Sequence, residues 1–238
     1  MNHIGVDGCT AGWVAVGRAG MGLGFRVFPR IADLVAEYAG AERIFIDIPI
    51  GLPWAAEPTR PCDQLARGAL GKRRNSSVFP VPCREALAAS NVGEAREINL
   101  ATLGRSLSEQ TWGIMSKIAE VDALLQSSPD HRSRIREIHP EVCFWGLAGG
   151  APMADAKRTG SGEQERLRLL ARYEPGITGL MGRFRSERPS GGVGADDILD
   201  AASAFVTAEA RHGSLEALSG QPSHDLTGLP MEMVYLRV

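Results

Sequence analysis

His3-Ile-Gly-Val-Asp-Gly-Cys-Thr-Ala-Gly-Trp-Val-Ala-Val-Gly17 is the stretch from which the fold can be built outward. Two apolar runs, residues 3–7 and 13–17, are separated by Gly8 and Gly12, and a third at 25–28 follows Gly20, Gly22 and Gly24. Short strands punctuated by glycine predict an antiparallel meander. Next, Ile31, Leu34, Val35 and Tyr38 recur at helical spacing before Gly40, and residues 43–48 supply another apolar run that closes on Asp47. Three strands, a helix and a returning strand predict an α/β arrangement in which the fourth strand lies parallel to the first.

Residues 49–82 read as a long excursion, with prolines at 49, 53, 58, 61, 80 and 82, the basic run Lys72-Arg-Arg74 and the polar triplet Asn75-Ser-Ser77. Within it Cys62, Leu65, Ala66, Ala69 and Leu70 line one side of a short helix. The clearest long helix covers about 108–126, where Trp112, Met115, Ile118, Val121 and Leu125 form the apolar stripe and Ser108 the N-cap. Arg132, Arg134 and Arg136 lead into a strand at 135–139 that Pro140 ends. Helices at 164–173 and 196–211 flank a loop at 187–194, whose end, 190–194, is rich in glycine. This organisation predicts a single domain over 1–238 with an irregular and helical insertion at about 49–130.

The 238 residues are 44% hydrophobic and 23% charged, which excludes disorder, collagen-like repeats and coiled coil. Lys and Arg number 26 against 28 Asp and Glu, so the strong global basic field of many non-specific nucleic-acid binders is absent. Cys9, Cys62, Cys83 and Cys143 are too widely spaced for a zinc knuckle or a disulfide framework, which fits a reducing compartment. Met1 to Asp7 carries no basic-then-apolar leader, and no apolar run reaches membrane length. The expectation is a cytoplasmic chain with no membrane partner.

Three acidic positions stand where folding does not require an acid: Asp7 ending the first strand, Asp47 ending the fourth, and Asp196, Asp197 and Asp200 opening a late helix. Parallel neighbouring strands would set Asp7 and Asp47 side by side, while residues 196 and 200, or 197 and 200, share one helical face. Such a cluster calls for positive charge, and hard oxygen donors select Mg²⁺ or Mn²⁺. Two such ions roughly 3.5 to 4 Å apart would clamp both oxygens of a phosphodiester displacement. Conformational readings compete at each position. Asp7-Gly8 is a strong turn dipeptide, Asp47 can satisfy amides of the following Pro-Ile-Gly-Leu-Pro loop, and Asp196 or Asp197 can cap its helix.

Other candidates are weaker. Gly68-Ala-Leu-Gly-Lys72 imitates a phosphate loop, but its glycines are two residues apart rather than four. Lys72, Arg73, Arg74, Ser76 and Ser77 form either a solvated loop or a phosphate-binding rim. In His139-Pro-Glu141, Glu141 is a candidate for the acidic set, as is the nearby Glu137. Lys117 and Glu120 read as a surface face of the long helix, with Lys117 pointing into the site as the lesser alternative. Cys9, beside Asp7, is the cysteine to test as a nucleophile.

Gly5-Val-Asp-Gly-Cys-Thr-Ala-Gly-Trp-Val14, Asp47-Ile-Pro-Ile-Gly-Leu-Pro53, Ser76-Ser-Val-Phe-Pro80, Lys117-Ile-Ala-Glu-Val-Asp122, Glu137-Ile-His-Pro-Glu-Val-Cys-Phe144 and Asp196-Asp-Ile-Leu-Asp-Ala201 occur in that order along nearly the whole chain. Together they resemble the uncharacterised family catalogued as domain of unknown function 429. The resemblance implies a predicted nuclease with a ribonuclease H-like fold, meaning a mixed five-stranded sheet flanked by helices and a carboxylate-bound divalent metal. It implies first-strand, fourth-strand and last-helix acids at Asp7, Asp47 and Asp197 or Asp200.

The expected function is a Mg²⁺- or Mn²⁺-dependent phosphodiester hydrolase acting on nucleic acid or a nucleotide-like substrate. Asp7, Asp47, Asp196, Asp197 and Asp200 are its candidate metal ligands. The slightly negative net charge favours a short, single-stranded or nucleotide-sized substrate, unless basic residues concentrate around 72–74 and 132–136. Two alternatives stay open: a non-catalytic ligand- or partner-binding module, and a phosphotransferase of the actin and sugar-kinase type, to whose first phosphate turn Asp7-Gly8-Cys9-Thr10 is faintly similar. Protein partners are left open, a homodimer among them.

Overall fold

The computed structural model describes residues 2–20, 22–187 and 191–238. Strand β1 (His3–Cys9) pairs antiparallel with β2 (Gly12–Ala19), which pairs antiparallel with β3 (Gly22–Phe28). After helix α1 (Ile31–Glu37), β4 (Arg43–Ile46) returns parallel to β1, in register from His3 opposite Arg43 to Val6 opposite Ile46. Helices α2 (Pro61–Arg74), α3 (Val92–Leu103), α4 (Glu109–Ser127) and α5 (Pro129–Arg134) precede β5 (Ile135–Glu137). β5 pairs parallel with β4 and completes a mixed five-stranded sheet in the order β3-β2-β1-β4-β5. Then come α6 (Pro140–Leu147), α7 (Gly160–Tyr173), α8 (Gly176–Glu187) and α9 (Ala195–Glu209). Strands β6 (Ser214–Ala217), β7 (Ser223–His224), β8 (Pro230–Met231) and β9 (Val234–Arg237) form two ribbons, β6 with β9 and β7 with β8.

The period-two alternation of the strands sorts their side chains between two cores. Ile4, Val6, Trp13, Ala15, Ile44 and Ile46 face α1 and α4, meeting Ile31, Leu34, Ile118, Val121 and Leu125. Cys9, Val14 and Val16 face the opposite way, toward Ile198, Ala201, Ala202 and Phe205 of α9. Helix α9 is buried on all sides from Ile198 to Ala208, held between the sheet and helices α6, α7 and α8. Gly5 is what lets it lie there: a Cβ on Gly5 would stand 2.1 Å from both Ala201 O and Phe205 N. Only a residue without a side chain allows backbone to approach backbone so closely.

Several expectations change. Asp7-Gly8 is not a turn, because β1 runs on to Cys9 and the hairpin turns at Thr10 and Ala11. Helix α4, capped by Ser108 Oγ on Thr111 N, packs on the sheet and so belongs to the core rather than to an insertion. Glu120 is not on a surface face: its carboxylate accepts Trp13 Nε1 at 3.0 Å and Ile31 N at 2.6 Å, tying α4 to β2 and α1. The arginines before β5 serve the fold. Arg132 donates to Leu125 O, Arg134 to Tyr38 O and Ala39 O, and Arg136 pairs with Glu232. These guanidiniums are engaged by carbonyls and a carboxylate, and none of the three lines the cleft that holds Asp7 and Asp47. The glycine-rich loop at 187–194 lies partly outside the described residues.

The chain leaving β4 is fastened by two buried carboxylates rather than by a strand ladder. Glu137 accepts Ile50 N and pairs with Arg60, which also holds Asp63 at 3.0 Å. Asp225 accepts Leu52 N and Leu229 N, both at 3.0 Å, and Thr227 N and Oγ1, both at 2.8 Å, and pairs with Arg84. Asp225→Ala strands these donors, and an expected loss of about 3 kcal/mol can be read from urea unfolding. Burial works against the Asp225 charge, but its donors and Arg84 outweigh it and hold the carboxyl below its ordinary value. A depressed carboxylate stabilises above the unfolded value and ceases to do so as pH falls, so the gap between native and Asp225→Ala should shrink on acidification from pH 6 toward about 3.

Candidate functional site

Asp7 lies two residues beyond Gly5 on β1, on the face that α9 covers. Asp47 follows the last paired residue of β4, and its amide extends the parallel register by donating to Val6 O at 3.0 Å. The two carboxyls therefore sit side by side, and α9, laid on Gly5, brings Asp200 to them from its second turn. Asp7 is 6% exposed and Asp200 2%. Asp47 is partly exposed and opens into a cleft of about 550 Å³.

Burial first, then the charges of Asp47, Asp200 and Asp197, push the Asp7 carboxyl well above the ordinary range, against the pull of Lys157. Burial likewise lifts Asp47, opposed by His139 and Lys157. It carries Asp200 to about 6, again against Lys157. The Lys157 Nζ is 2.8 Å from Asp200 Oδ2 and 3.9 Å from Asp196 Oδ2. Burial disfavours that ammonium, yet Asp200, Asp7 and Asp47 outweigh burial and hold it above an ordinary lysine.

The remaining acids divide. Asp197 Oδ2 accepts Gly194 N at 2.8 Å and so caps α9, the conformational alternative. Asp196 turns to Arg158, 3.5 Å away. Glu141 Oε1 accepts from the buried Arg166 at 2.5 Å, while Oε2 is buried in the cleft lining without a partner. Glu137 is held through Oε2 by Arg60 and Ile50 N, which ties this glutamate to the loop after β4. Asp7 Oδ1 accepts Gly8 N at 2.7 Å, whereas the Asp47 carboxylate accepts no backbone N–H among the described residues. The loop amides that competed for Asp47 go instead to Glu137 and Asp225.

Around this floor stand Arg73, Arg74, Ser76 and Ser77. Arg74 donates to Met153 O and Ala154 O at 3.0 and 2.9 Å, and Ser77 Oγ to Arg74 O at 2.7 Å, so both brace the wall. Arg73 and Ser76 are exposed at the rim. Lys72 is not brought to the cleft: α2 kinks at Gly71 (φ 59°, ψ −171°) and the lysine is exposed outside the lining. Lys117 does point inward, its Nζ donating to Gly12 O at 2.6 Å and lying 4.7 Å from the Trp13 ring centroid. Phe79, 37% exposed, forms an apolar wall with Pro80 and Ile114. Cys9 is buried and burial pushes its thiol up, which removes it as a nucleophile.

The donor chemistry suits a hard divalent cation: converging carboxylates, surplus negative charge and the unpartnered Glu141 Oε2. Among the described residues, no three His, Cys, Asp or Glu side chains are gathered as a ready-made ion site, and Lys157 stands among the acids. Sequence reasoning missed Lys157, Arg166 and Phe79. Lys157 lies in a stretch without periodicity, whereas Phe79 sits inside Ser76-Ser-Val-Phe-Pro80, where an aromatic beside a polar pair was the available signal.

A family described as protein of unknown function (DUF429) matches residues 5–224. No curated protein and no solved structure matched the chain. Among the described residues, no helix is long and apolar enough to cross a membrane.

Proposed function

The chain belongs to the DUF429 family, and because that membership carries no activity we propose, from its site, that it is a divalent-metal-dependent phosphodiester hydrolase acting on a single-stranded or nucleotide-sized substrate. The observation that carries this reading is the meeting of Asp7, Asp47 and Asp200, from two parallel strand ends and a buried helix, around a single lysine. The carboxylates outnumber the lysine, and a divalent cation would offset the surplus negative charge. The ribonuclease H-like assignment is supported by the sheet order β3-β2-β1-β4-β5, with the acids on β1, at the end of β4 and in the last helix.

Asp7, Asp47 and Asp200 would hold Mg²⁺ or Mn²⁺, which supplies Lewis acidity toward a phosphate oxygen and toward water. Asp196 and Asp197 contribute negative potential at the rim rather than direct ligation. Glu141 Oε2, an acceptor held in place through Arg166, is suited to take the proton of an attacking water. Arg73 and Ser76 face a phosphate entering from solvent. Phe79 presents its ring to the flanking base. Stacking of a base on an aromatic is worth about 1–3 kcal/mol, so Phe79→Ala should raise KM roughly tenfold with kcat little changed. Phe79→Tyr should keep the native KM in the same steady-state assay.

A second reading, the non-catalytic binding module, is favoured by Lys157, which already neutralises part of the acidic floor. The test is Mn²⁺- and Mg²⁺-dependent cleavage of single-stranded and duplex DNA, RNA, a hybrid and a dinucleotide, beside Asp47→Asn. Cleavage of the single-stranded or short members, lost on chelation and in Asp47→Asn, supports the hydrolase. Bound metal with every substrate intact favours the binding module.

A further inference from the structure

We infer that Lys117 is a substrate-binding residue, its ammonium donating to a phosphate oxyanion of the ligand from the α4 wall of the cleft. The inference deepens the hydrolase reading above and rests on it for the class of ligand, while binding of the oxyanion can be measured without metal or turnover.

Thr111, Ile114, Lys117 and Ile118 share one face of α4 and line the cleft, where Lys117 is partly exposed. Its Nζ carries three N–H donors. One goes to Gly12 O at 2.6 Å, and the Trp13 ring, with its centroid 4.7 Å from Nζ, faces the ammonium on another side. A carbonyl and a ring attract a cation without cancelling its charge. Among the described residues no carboxylate lies within 4.0 Å of this Nζ, whereas Lys157 meets Asp200, Arg60 meets Glu137 and Asp63, and Arg158 meets Asp196. Lys117 therefore keeps both a charge and a donor for a ligand.

The position of the ammonium is built by the hairpin it faces. A Cβ on Gly8 would lie 2.9 Å from Lys117 Cδ and 3.3 Å from Cε, so the bare backbone next to Asp7 is the bed of the lysine stem. Gly12, whose carbonyl takes Nζ, has φ 121° and would set a Cβ 2.2 Å from Phe28 O, a place only glycine fills. Trp13 is buried, and its Nε1 donates to Glu120 Oε2 at 3.0 Å, so the ring beside the ammonium is fixed by a residue one turn further along the same helix. The neighbours give the class of ligand. Ile114, one turn before Lys117, forms the apolar wall with Phe79 and Pro80. Side chains so spaced on a helix have Cβ atoms about 5–6 Å apart, the scale on which a nucleotide separates its base from its phosphate. A base on that wall brings its phosphate to Lys117.

The chain has three lysines, Lys72, Lys117 and Lys157, so the full-length protein labelled with ¹³C at lysine Cε gives three side-chain signals. Lys117 is the one with Overhauser contacts to the Trp13 ring. The test titrates this protein in EDTA with thymidine monophosphate, with the thymidine dinucleotide, and with that dinucleotide carrying a neutral methylphosphonate linkage; the monophosphate is repeated in MgCl₂. Either charged ligand should move the Lys117 signal and leave Lys72 in place, the neutral analogue should leave both, and the tighter of the charged two identifies a monoester or a diester oxygen as the one held. In the cleavage assay Lys117→Met, which keeps a stem on Gly8, should raise KM about tenfold with kcat little changed, the loss of one charged hydrogen bond. A Lys117 signal unmoved by both charged ligands, or moved equally by the neutral one, would overturn the inference, as would the native KM in a folded Lys117→Met, and metal-dependent cleavage by the native chain would stand regardless. A moving Lys117 signal with no cleavage in any metal would instead remove the hydrolase and leave the phosphate subsite. The native spectra decide even where Lys117→Met does not fold.

Discussion

Asp7→Asn is expected to lower kcat by about a thousandfold while leaving the metal-free melting temperature unchanged or higher. Asparagine keeps the Oδ1 that accepts Gly8 N, so the local backbone bond survives. What it removes is a buried charge repelled by Asp47, Asp200 and Asp197. Loss of a buried side chain's function ordinarily costs stability, and a stable but inactive variant is the mark of a group held against its own preference for catalysis. Differential scanning calorimetry beside a cleavage assay separates the outcomes. A melting temperature lowered by several degrees would make Asp7 a structural residue.

The same strain gives a pH signature. The Asp200 carboxyl is raised to about 6 by burial, so ionising it costs more in the folded chain than in the unfolded one. A raised acid costs nothing below its unfolded value near 4 and its full penalty above its folded value. The metal-free protein should therefore lose stability from this centre as pH rises from about 4 to about 6. Stabilisation by Mn²⁺ should grow through the same interval. Thermal melts with and without MnCl₂ at pH 5 and pH 7.5 measure the difference, and an equal metal effect at both would argue against a carboxylate-held ion.

Gly5→Ala is the largest structural effect expected. The added methyl would meet the backbone of α9 at Ala201 O and Phe205 N, neither of which can rotate away as a side chain would. Overpacking a core costs about 1–3 kcal/mol where side chains yield, and a clash with main chain should exceed that and leave little folded protein. Any folded remainder must hold α9 farther from β1, which takes Asp200 away from Asp7, so it should also fail to bind Mn²⁺. Gly22→Ala on β3 is the control, since nothing lies within 4 Å of its added methyl. Urea unfolding of the two variants makes the comparison, and equal stability would mean that α9 does not rest on β1 at Gly5.

The sheet and its acids were legible because each rests on a local regularity. Alternation marked β1, β2 and β4, and parallel register then placed Asp47 beside Asp7 without knowledge of any side-chain position. Asp200 was legible because i, i+3 and i, i+4 spacing puts it on the face shared with the helix start. Lys157 was not, since it arrives on an irregular turn whose bracing by Glu165 and Arg166 exists only in the folded chain. The ribbons formed by β6 to β9 were hidden for a related reason. Asp225 and Glu232 are buried there, and buried charges break the apolar pattern that reveals a strand. Arg132, Arg134 and Arg136 misled in the opposite direction, because a run of cations resembles a binding surface until their carbonyl and carboxylate partners are known.

Helix α9, enclosed on every side, has a consequence for the order in which the protein comes into being. Its partners β1, β2 and β4 all lie within the first 46 residues, yet α9 begins at Ala195. Contacts of such long range form late, because a large loop must close before they are rewarded. A chain still on the ribosome holds Asp7 and Asp47 but neither Asp200 nor, until residue 157 is added, the lysine that faces it. The acidic site is thus incomplete for most of synthesis, and the hydrolysis proposed for it has to wait until α9 has been made and has docked.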